Sequence, residues 1–273
     1  MAYSALKLIK ETLTGHQGWK PVWRKAEPKT EYDIVIVGAG GHGLATAFYL
    51  ASEYKTAKVA VLEKSWVGGG NVGRNTTIVR SNYLLHENER FYEFSMKLWE
   101  RFEEDLNYNA MVSQRGIINV FHNDAQRDAY IQRGNTMLLN GADAILLDEI
   151  ELRKKCPFLN FDDARFPIRG GLWQPRAGTV RHDAVAWGYA RAADRLGVDI
   201  IENCEVQGFD IQNNICSAVN TSRGKIKTKK IGVAVAGSSG SVMAKAGIRL
   251  PIESHVLQAF VSQGLKPIIP GVI

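Results

Sequence analysis

The sequence predicts an α/β fold that begins with a parallel β-sheet. Residues 33–37, DIVIV, consist of an aspartate and four consecutive apolar β-branched residues, which is typical of a buried strand. A glycine cluster and a helical apolar pattern over 42–53 follow, and a second apolar strand is predicted at 58–64. This strand–helix–strand order is the unit from which parallel sheets with crossover helices are built.

The elements after this unit continue the α/β pattern. Helical periodicity predicts four further helices, at 87–107, 124–140, 148–156 and 182–196. Alternation predicts a strand at 116–122, and residues 198–235 read as several strands with turns. The glycine-rich stretches 68–83 and 170–180 are predicted to be a loop and a turn-rich segment.

The bulk composition narrows the function class. The 273 residues allow one large domain or two ordinary ones, and 45% hydrophobic with 23% charged residues is an ordinary globular balance. The net charge of +6 is modest and no Lys/Arg block occurs, so anionic cofactors are favoured over nucleic acid. Cys156, Cys204 and Cys216 fit neither a zinc site nor a disulfide framework, and we expect reduced thiols.

The two ends of the sequence carry separate expectations. Residues 1–31 are predicted to be an extended arm, lying either on a neighbouring subunit or on its own domain. Charges interrupt any signal-peptide core and no apolar run reaches membrane-spanning length, so we expect a cytoplasmic protein without a membrane contact. Residues 251–273 begin like strands of a second layer. We expect either that the sequence is cut short or that a partner packs against its end.

The glycine cluster indicates a dinucleotide site. Gly38, Gly40 and Gly43 have G-x-G-x-x-G spacing, in which the glycines permit a tight turn, approach of the backbone to a pyrophosphate, and close helix–strand packing. Gly41 and His42 lie inside this loop, where the following helix offers free N–H groups to phosphates. Glu63 ends the second strand and is expected to accept hydrogen bonds from ribose hydroxyls.

Three later features favour FAD over NAD. A glycine-rich segment, 68–77, directly follows the second strand, where it can run under the pyrophosphate and ring. Val206 follows a strand and a long helix, and its backbone is expected to pair with the adenine. Gly237 lies in an apolar strand, 231–241, that ends in small residues and returns the backbone to the cofactor.

The sequence resembles the β subunits of the heterotetrameric sarcosine oxidases, which are FAD-dependent amine oxidases related to D-amino acid oxidase. The specific segments are VAVLEKSWVGGGNVGRNTTIVRSNYL and QPRAGTVRHDAVAWGYARAADRLGVDIIENCEV. The resemblance implies a Rossmann-like FAD-binding domain of the glutathione-reductase-like FAD/NAD(P)-binding fold, with an interleaved substrate domain that contains an antiparallel sheet. The expected division is an arm at 1–31, an FAD-binding domain at 32–82 and 172–247, and a substrate domain at 83–171 and 248–273.

The resemblance also implies a chemistry. Such enzymes oxidise sarcosine to glycine, produce hydrogen peroxide, and release the one-carbon unit as formaldehyde or pass it to tetrahydrofolate. The β subunit holds non-covalent FAD and an FMN linked to a histidine, which corresponds to His182 here. The expected partners are α, γ and δ subunits. Family members continue past Ile273, so we expect this chain alone to bind FAD weakly or not at all.

Particular residues acquire roles through the resemblance. Arg80 corresponds to an arginine that pairs with the substrate carboxylate, with pairing to an internal acid as the alternative. His182 alone could equally be a helix-start residue, since Asp183 suits a first turn. No metal site is expected. The remaining residues expected to line FAD are Lys64, Asn71, Arg74, Asn75, Thr76 and Ile78.

Three alternatives stay open at this point. One is an FAD-dependent dehydrogenase of dimethylglycine, hydroxyproline or an opine, because the cofactor loop does not identify the substrate. The second is a non-catalytic subunit whose dinucleotide fold serves as a scaffold. The third, an NAD-dependent dehydrogenase, is disfavoured by segments 68–83 and 172–206.

Overall fold

A computed structural model describes residues 4–83, 85–261, 263–264 and 271–273. The helices are α1 (Ala5–Leu13), α2 (Gly41–Glu53), α3 (His86–Glu100), α4 (Phe102–Leu106), α5 (Asp124–Leu139), α6 (Glu149–Lys155), α7 (His182–Arg195) and α8 (Ser239–Ala244). The strands are β1 (Glu31–Val37), β2 (Val59–Leu62), β3 (Ile78–Val79), β4 (Ile117–Phe121), β5 (Ile145–Asp148), β6 (Gly170–Gln174), β7 (Gly178–Thr179), β8 (Asp199–Ile201), β9 (Val206–Gln212), β10 (Ile215–Thr221) and β11 (Gly224–Val233).

The larger sheet has six strands in the order β8-β2-β1-β11-β10-β9. Strands β8, β2, β1 and β11 are parallel neighbours, and β11, β10 and β9 form an antiparallel meander. The ten-residue strand β11 belongs to both parts, since it pairs with β10 and with β1. The predicted α/β fold with a parallel sheet is confirmed.

Two helices cover one face of this sheet. Leu44, Ala47 and Ala51 of α2 and a row of alanines in α7 are buried in one apolar cluster with Val59 and Val61 of β2. Gly188 lets α7 approach α4 closely as well, since a Cβ there would meet the Phe102 ring of α4 at 3.0 Å. A second cluster, around Tyr32, Val35 and Leu62, fills the other face.

The smaller sheet is antiparallel, in the order β4-β6-β5. Helices α5 and α6 pack on opposite faces of it, with Leu172 of β6 against α5 and Gly171 against Leu152 of α6. An antiparallel sheet of this kind agrees with the expected interleaved domain. The expected boundary at residue 172 falls inside β6, however, so the proposed domain division remains a prediction.

Three predicted segments differ from the observed ones, and one observed strand has no predicted counterpart. The loop 68–83 contains β3, and the turn-rich segment 170–180 contains β6 and β7. These strands are short or rich in glycine, and their partners lie far along the chain. The helix over 87–107 is two helices that meet at Arg101 and end at Asn107, whose φ is +47°. Strand β5 precedes α6 and has no counterpart in the sequence expectation.

The N-terminal arm lies on its own domain over residues 23–29. The Arg24 guanidinium is 2.7 Å from Asp194 Oδ1, and Lys29 Nζ is 2.6 Å from Asp199 Oδ2. The buried hydroxyl of Tyr32 donates to the same Asp199 oxygen at 3.0 Å. The arm is not extended throughout, because Ser4 caps a helix, α1, none of whose residues is buried.

The C-terminal segment departs from its prediction over residues 252–261. These residues form no hydrogen-bonded strand, and Val256, Leu257, Phe260 and Val261 are almost fully exposed. Farther on, Val272 forms an isolated parallel β-bridge with Ile117 of β4. Residues 265–270 lie outside the described residues. No described helix combines the length and apolar character needed to cross a membrane.

Candidate functional site

A glycine turn joins β1 to α2 at the carboxyl edge of the larger sheet. Gly38 has φ +104°, and a Cβ there would lie 2.5 Å from the Ala234 carbonyl oxygen. A Cβ on Gly43 would lie 1.9 Å from the Gly38 carbonyl oxygen, so only glycine lets α2 pack this close to the turn. This geometry fits a tight turn and close packing, and the cofactor-binding role of the two glycines stays a prediction.

The surface above the turn is open. A Cβ on Gly40 would meet no atom within 4 Å, and Gly40 is the N-cap of α2 without a side-chain capping bond. The first N–H groups of α2 therefore carry no cap from that residue, and no acidic side chain lies in the first turn. A glycine backbone, an uncapped helix N-terminus and free space suit the pyrophosphate of a dinucleotide.

Glu63 stands at the end of β2 and points back to the turn. Its Oε2 accepts the Ala39 N–H at 2.9 Å, and its Oε1 accepts both the N–H and the hydroxyl of Ser65 at 3.0 Å. These bonds fix the carboxylate beside the glycine turn. Each carboxylate oxygen has two acceptor sites, so Oε2 keeps capacity for a ribose hydroxyl.

The predicted cofactor loop folds against the same turn. The Gly68 N–H donates to the Ala39 carbonyl at 3.0 Å, and Val72 lies 3.6 Å from the position of a Cβ on Gly41. Residues 71–74 form a short 3₁₀ helix that packs on α7. The predicted lining residues are all exposed at this surface: Lys64, Asn71, Arg74, Asn75, Thr76 and Ile78. His42 is exposed as well.

Val206 and Gly237, two other residues predicted to contact the cofactor, follow chain segments that lie beside the turn. The N–H groups of Asn203 and Cys204 donate to the carbonyls of Ser65 and Glu63, which brings the approach to Val206 beside Glu63. The Val206 carbonyl accepts a hydrogen bond from Lys245 Nζ at 2.9 Å. Gly237 follows β11, and its carbonyl accepts from the Ser254 hydroxyl at 2.8 Å.

His182 is the first residue of α7 and lies beside the cofactor loop. Strands β3 and β7 pair as a separate two-stranded antiparallel sheet. Just beyond it, the Val180 N–H donates a hydrogen bond to the carbonyl of Thr77, whose φ is +66°. His182 Nδ1 is buried and has no hydrogen-bond partner among the described residues. The Arg181 guanidinium holds both oxygens of Asp183 and lowers the pKa of that carboxyl. The structure therefore brings His182 and the cofactor loop together.

Arg80 follows β3 at the edge of the smaller sheet. It is half-buried, its Nη1 donates to Asn82 Oδ1 at 2.9 Å, and its guanidinium lies over the Tyr83 ring, 4.8 Å from the centroid. Among the described residues it makes no ion pair. The alternative of an internal acid partner therefore finds no support there, and the guanidinium keeps donors for an external carboxylate.

The structure adds a buried ionic network that sequence reasoning missed. Glu93 is almost fully buried, accepts from Arg176 Nη1 at 2.6 Å, and accepts from the Ser81 hydroxyl at 3.2 Å. Arg176 also pairs with Glu100, and these carboxylates raise the pKa of the guanidinium. The network fixes the chain next to Arg80, at Ser81. No sequence signal indicates it, because Glu93 and Arg176 are 83 positions apart.

Comparison with known proteins agrees with this geometry. The chain matches the family described as FAD dependent oxidoreductase over residues 33–270. It is 63% identical to sarcosine oxidase subunit beta of Rhizobium meliloti (strain 1021), over 100% of this chain and 66% of that protein. It is 48% identical to sarcosine oxidase subunit beta of Arthrobacter sp., over 92% of this chain and 62% of that protein.

A solved structure supports the fold independently. L-proline dehydrogenase from P. horikoshii superposes with a TM-score of 0.75 at 25% identity, over 81% of this chain and 57% of that one. The chain spans no more than two thirds of the length of the two curated relatives named above. No three described His, Cys, Asp or Glu side chains gather in a metal-binding arrangement. Because the family model matches residues 33–270, which include the glycine turn, the chain belongs to the FAD dependent oxidoreductases.

Proposed function

We propose that this chain is part of the β subunit of a heterotetrameric sarcosine oxidase. The observation that carries the proposal is the 63% identity to a sarcosine oxidase subunit beta along the whole chain. In the proposed reaction sarcosine, oxygen and water yield glycine, formaldehyde and hydrogen peroxide. With tetrahydrofolate present, the one-carbon unit passes to the folate instead. The partners would be the α, γ and δ subunits.

The described residues fit non-covalent FAD. The turn at Gly38–Gly43 and the N-terminus of α2 would hold the pyrophosphate, because the space above Gly40 is open and the N-cap makes no side-chain bond. Glu63 would accept from the ribose, with its orientation fixed by Ala39 and Ser65. When bound, FAD supplies the oxidant that takes the hydride equivalent from the amine.

The part of the chain that follows the cofactor loop would bind and orient the substrate. Arg80 has a planar guanidinium with donors that the described residues leave unused, so it is suited to two-point capture of the sarcosine carboxylate. Stacking over Tyr83 fixes the plane of the guanidinium. No general base is assigned, because the protein's task in this reaction is mainly to orient the amine against the oxidant.

His182 would be the attachment point of covalent FMN. A neutral imidazole nitrogen is a nucleophile toward an activated flavin methyl group, and a histidine can be neutral near physiological pH. His182 Nδ1 has no hydrogen-bond partner among the described residues, and a buried unsatisfied nitrogen carries a desolvation cost. Its position beside the cofactor loop supports the proposal, because the two flavin sites would then be neighbours.

The test is flavin fluorescence of the β band on a denaturing gel. The complete β subunit would be produced with its partner subunits as wild type, as His182→Ala and as His42→Ala, an exposed histidine of the glycine turn. We expect a fluorescent band in the wild type and in His42→Ala, and none in His182→Ala. A dark band in all three, with FAD released on denaturation, would assign a single-flavin oxidase or dehydrogenase instead.

Turnover decides the substrate. The assembled wild-type enzyme is assayed with sarcosine, dimethylglycine, hydroxyproline and an opine, both for peroxide formation with oxygen and for reduction of an added electron-accepting dye. Preference for sarcosine supports the proposed function. Preference for another amine supports the dehydrogenase alternative, and no turnover with a full flavin complement supports the scaffold alternative.

A further inference from the structure

Helix α5 brings a second arginine, Arg133, to the neighbourhood of Arg80. The Arg80 guanidinium is bonded to Asn82, and Asn82 Nδ2 donates to Asn119 Oδ1 at 2.7 Å. Asn119 of β4 is directly opposite Leu172 of β6, so their side chains share one face of the smaller sheet. On that face Leu172 Cδ1 lies 3.1 Å from where a Cβ on Gly134, the next residue in α5, would stand.

Neither guanidinium forms an ion pair with a carboxylate among the described residues, although Glu89 lies close enough to Arg133 to act on it electrostatically. The described hydrogen bonds of Arg80 go to neutral groups, the Asn82 amide oxygen and the Tyr83 side chain. Arg133 makes no described hydrogen bond at all, although its Nε is buried away from solvent. By contrast, Arg176 and Arg153 in the same half of the chain form ion pairs with carboxylates. A buried guanidinium nitrogen without an acceptor is costly, so an anion is the group that this position lacks.

The local charge balance is positive. Burial, and next the charge of Arg80, lower the pKa of Arg133, so the two groups are close enough to repel each other. The carboxylate of Glu89 acts in the opposite direction on Arg133, and its Oε2 accepts a hydrogen bond from Asn140 at 2.7 Å. The repulsion from Arg80 acts on Arg133 more strongly than the attraction from Glu89, so the potential at Arg133 favours an added anion.

Aromatic rings hold both guanidiniums in position. Arg80 lies over Tyr83, and Tyr83 is stacked on Tyr92 with ring centroids 3.7 Å apart. Arg133 lies over Tyr130 with 5.9 Å between the guanidinium carbon and the ring centroid. A ring against the flat face of a guanidinium leaves the N–H edges free, and those edges are what a carboxylate binds.

We propose that Arg80 and Arg133 form one anion site for a carboxylate, in which Arg133 is the second cationic group. The ligand is a small carboxylate. The identification of that ligand as the carboxylate of the amino-acid substrate rests on the proposed function. Arg80 binds that carboxylate, and Arg133 positions it and adds a second positive charge. Two cationic groups discriminate more strongly against an uncharged amide than one does.

The experiment measures carboxylate binding without turnover. Acetate, and acetamide as its uncharged counterpart, are titrated by ligand-observed NMR against the complete enzyme with its partner subunits. The variants are Arg133→Met and Arg127→Met. Arg127 lies on the same helix, is exposed and pairs with Asp124, so its replacement makes the same change in charge away from the site. Flavin content is measured for each variant as the check on folding.

Arg133→Met is expected to raise the acetate dissociation constant roughly tenfold or more and to leave acetamide unaffected. Arg127→Met is expected to behave as the wild type. In turnover, Arg133→Met should raise KM for the amino acid more than it lowers kcat. If Arg133→Met loses its flavin, Arg133→Gln, a polar variant, replaces it in the same comparison.

Three results would overturn the inference: no acetate binding by the wild type, acetate binding by Arg133→Met as tight as by the wild type, or an equal loss in Arg127→Met. Failure of the proposed function has a different signature. If acetate binding depends on Arg133 but the enzyme oxidises another amino acid in place of sarcosine, the carboxylate site stands and the sarcosine assignment falls.

Discussion

Gly43 offers a sharp test of how the glycine turn is built. In Gly43→Ala the new Cβ would lie 1.9 Å from the carbonyl oxygen of Gly38, whereas ordinary contacts begin at 3.4 Å. The obstacle is backbone, so no side chain can rotate away, and α2 must move outward from the turn. Overpacking of this kind costs about 1–3 kcal/mol, and a backbone obstacle places the expected value at the upper end.

The assay compares thermal unfolding of Gly43→Ala with that of Gly40→Ala. At ~3 kcal/mol, and with ~2–4 °C per kcal/mol for a domain of this size, Gly43→Ala should lower Tm by roughly 6–12 °C. Gly40→Ala introduces a Cβ that meets no atom within 4 Å, so the stability of the FAD-free protein should be unchanged. The same methyl group occupies the space expected for the pyrophosphate, so FAD affinity should fall. Equal Tm values for Gly43→Ala and the wild type would refute the packing argument.

Two further predictions concern the rest of the fold. Arg176→Met should lower the free energy of unfolding in urea by about 2–3 kcal/mol, because it leaves the Glu93 carboxylate buried without its cation. Arg153→Met breaks a more exposed ion pair and should lower it by no more than ~1 kcal/mol. Equal losses in the two variants would contradict this. Burial, and the nearby Asp199 carboxylate, raise the pKa of Tyr32 to about 12, above its ordinary value of 10.0. Stability should therefore be unaffected below pH 10 and decline as the pH rises from 10 toward 12, since the unfolded state loses the proton first. Tyr32→Phe should flatten this decline in unfolding experiments at pH values of about 9 to 11, and an unchanged slope would assign the decline to other groups.

Local sequence patterns predicted the strands, turn and helix that build the candidate cofactor site. The strand, the glycine turn, α2 and Glu63 lie within 33 consecutive residues, 31–63, and each is recognisable from spacing alone. The glycines are predictable because their reason is steric and local: a Cβ on Gly38 or Gly43 would collide with nearby backbone. The start of α7 at His182 is also predictable from local sequence, since a helical apolar pattern begins there.

The substrate half was less predictable, because its determinants lie far apart in the sequence. Strand β6 packs so closely against β4 that it requires glycines, yet in the sequence those glycines indicate a turn. Arg133 lies in a helix of ordinary composition, and only the packing of α5 on Leu172 places it near Arg80. The pairing of Glu93 with Arg176 likewise exists only in the folded chain.

The pairing of β11 with both β1 and β10 has a consequence for the protein during its synthesis on the ribosome. Asp33 of β1 and Lys229 of β11 form an ion pair across 196 positions of the chain, so one edge of β1 stays open until β11 has been made. At ~5–20 residues per second that interval is on the order of 10–40 s. An apolar strand with an open edge is a template for pairing with other nascent chains. We expect the yield of folded protein to depend on chaperone supply and on translation speed between β2 and β11.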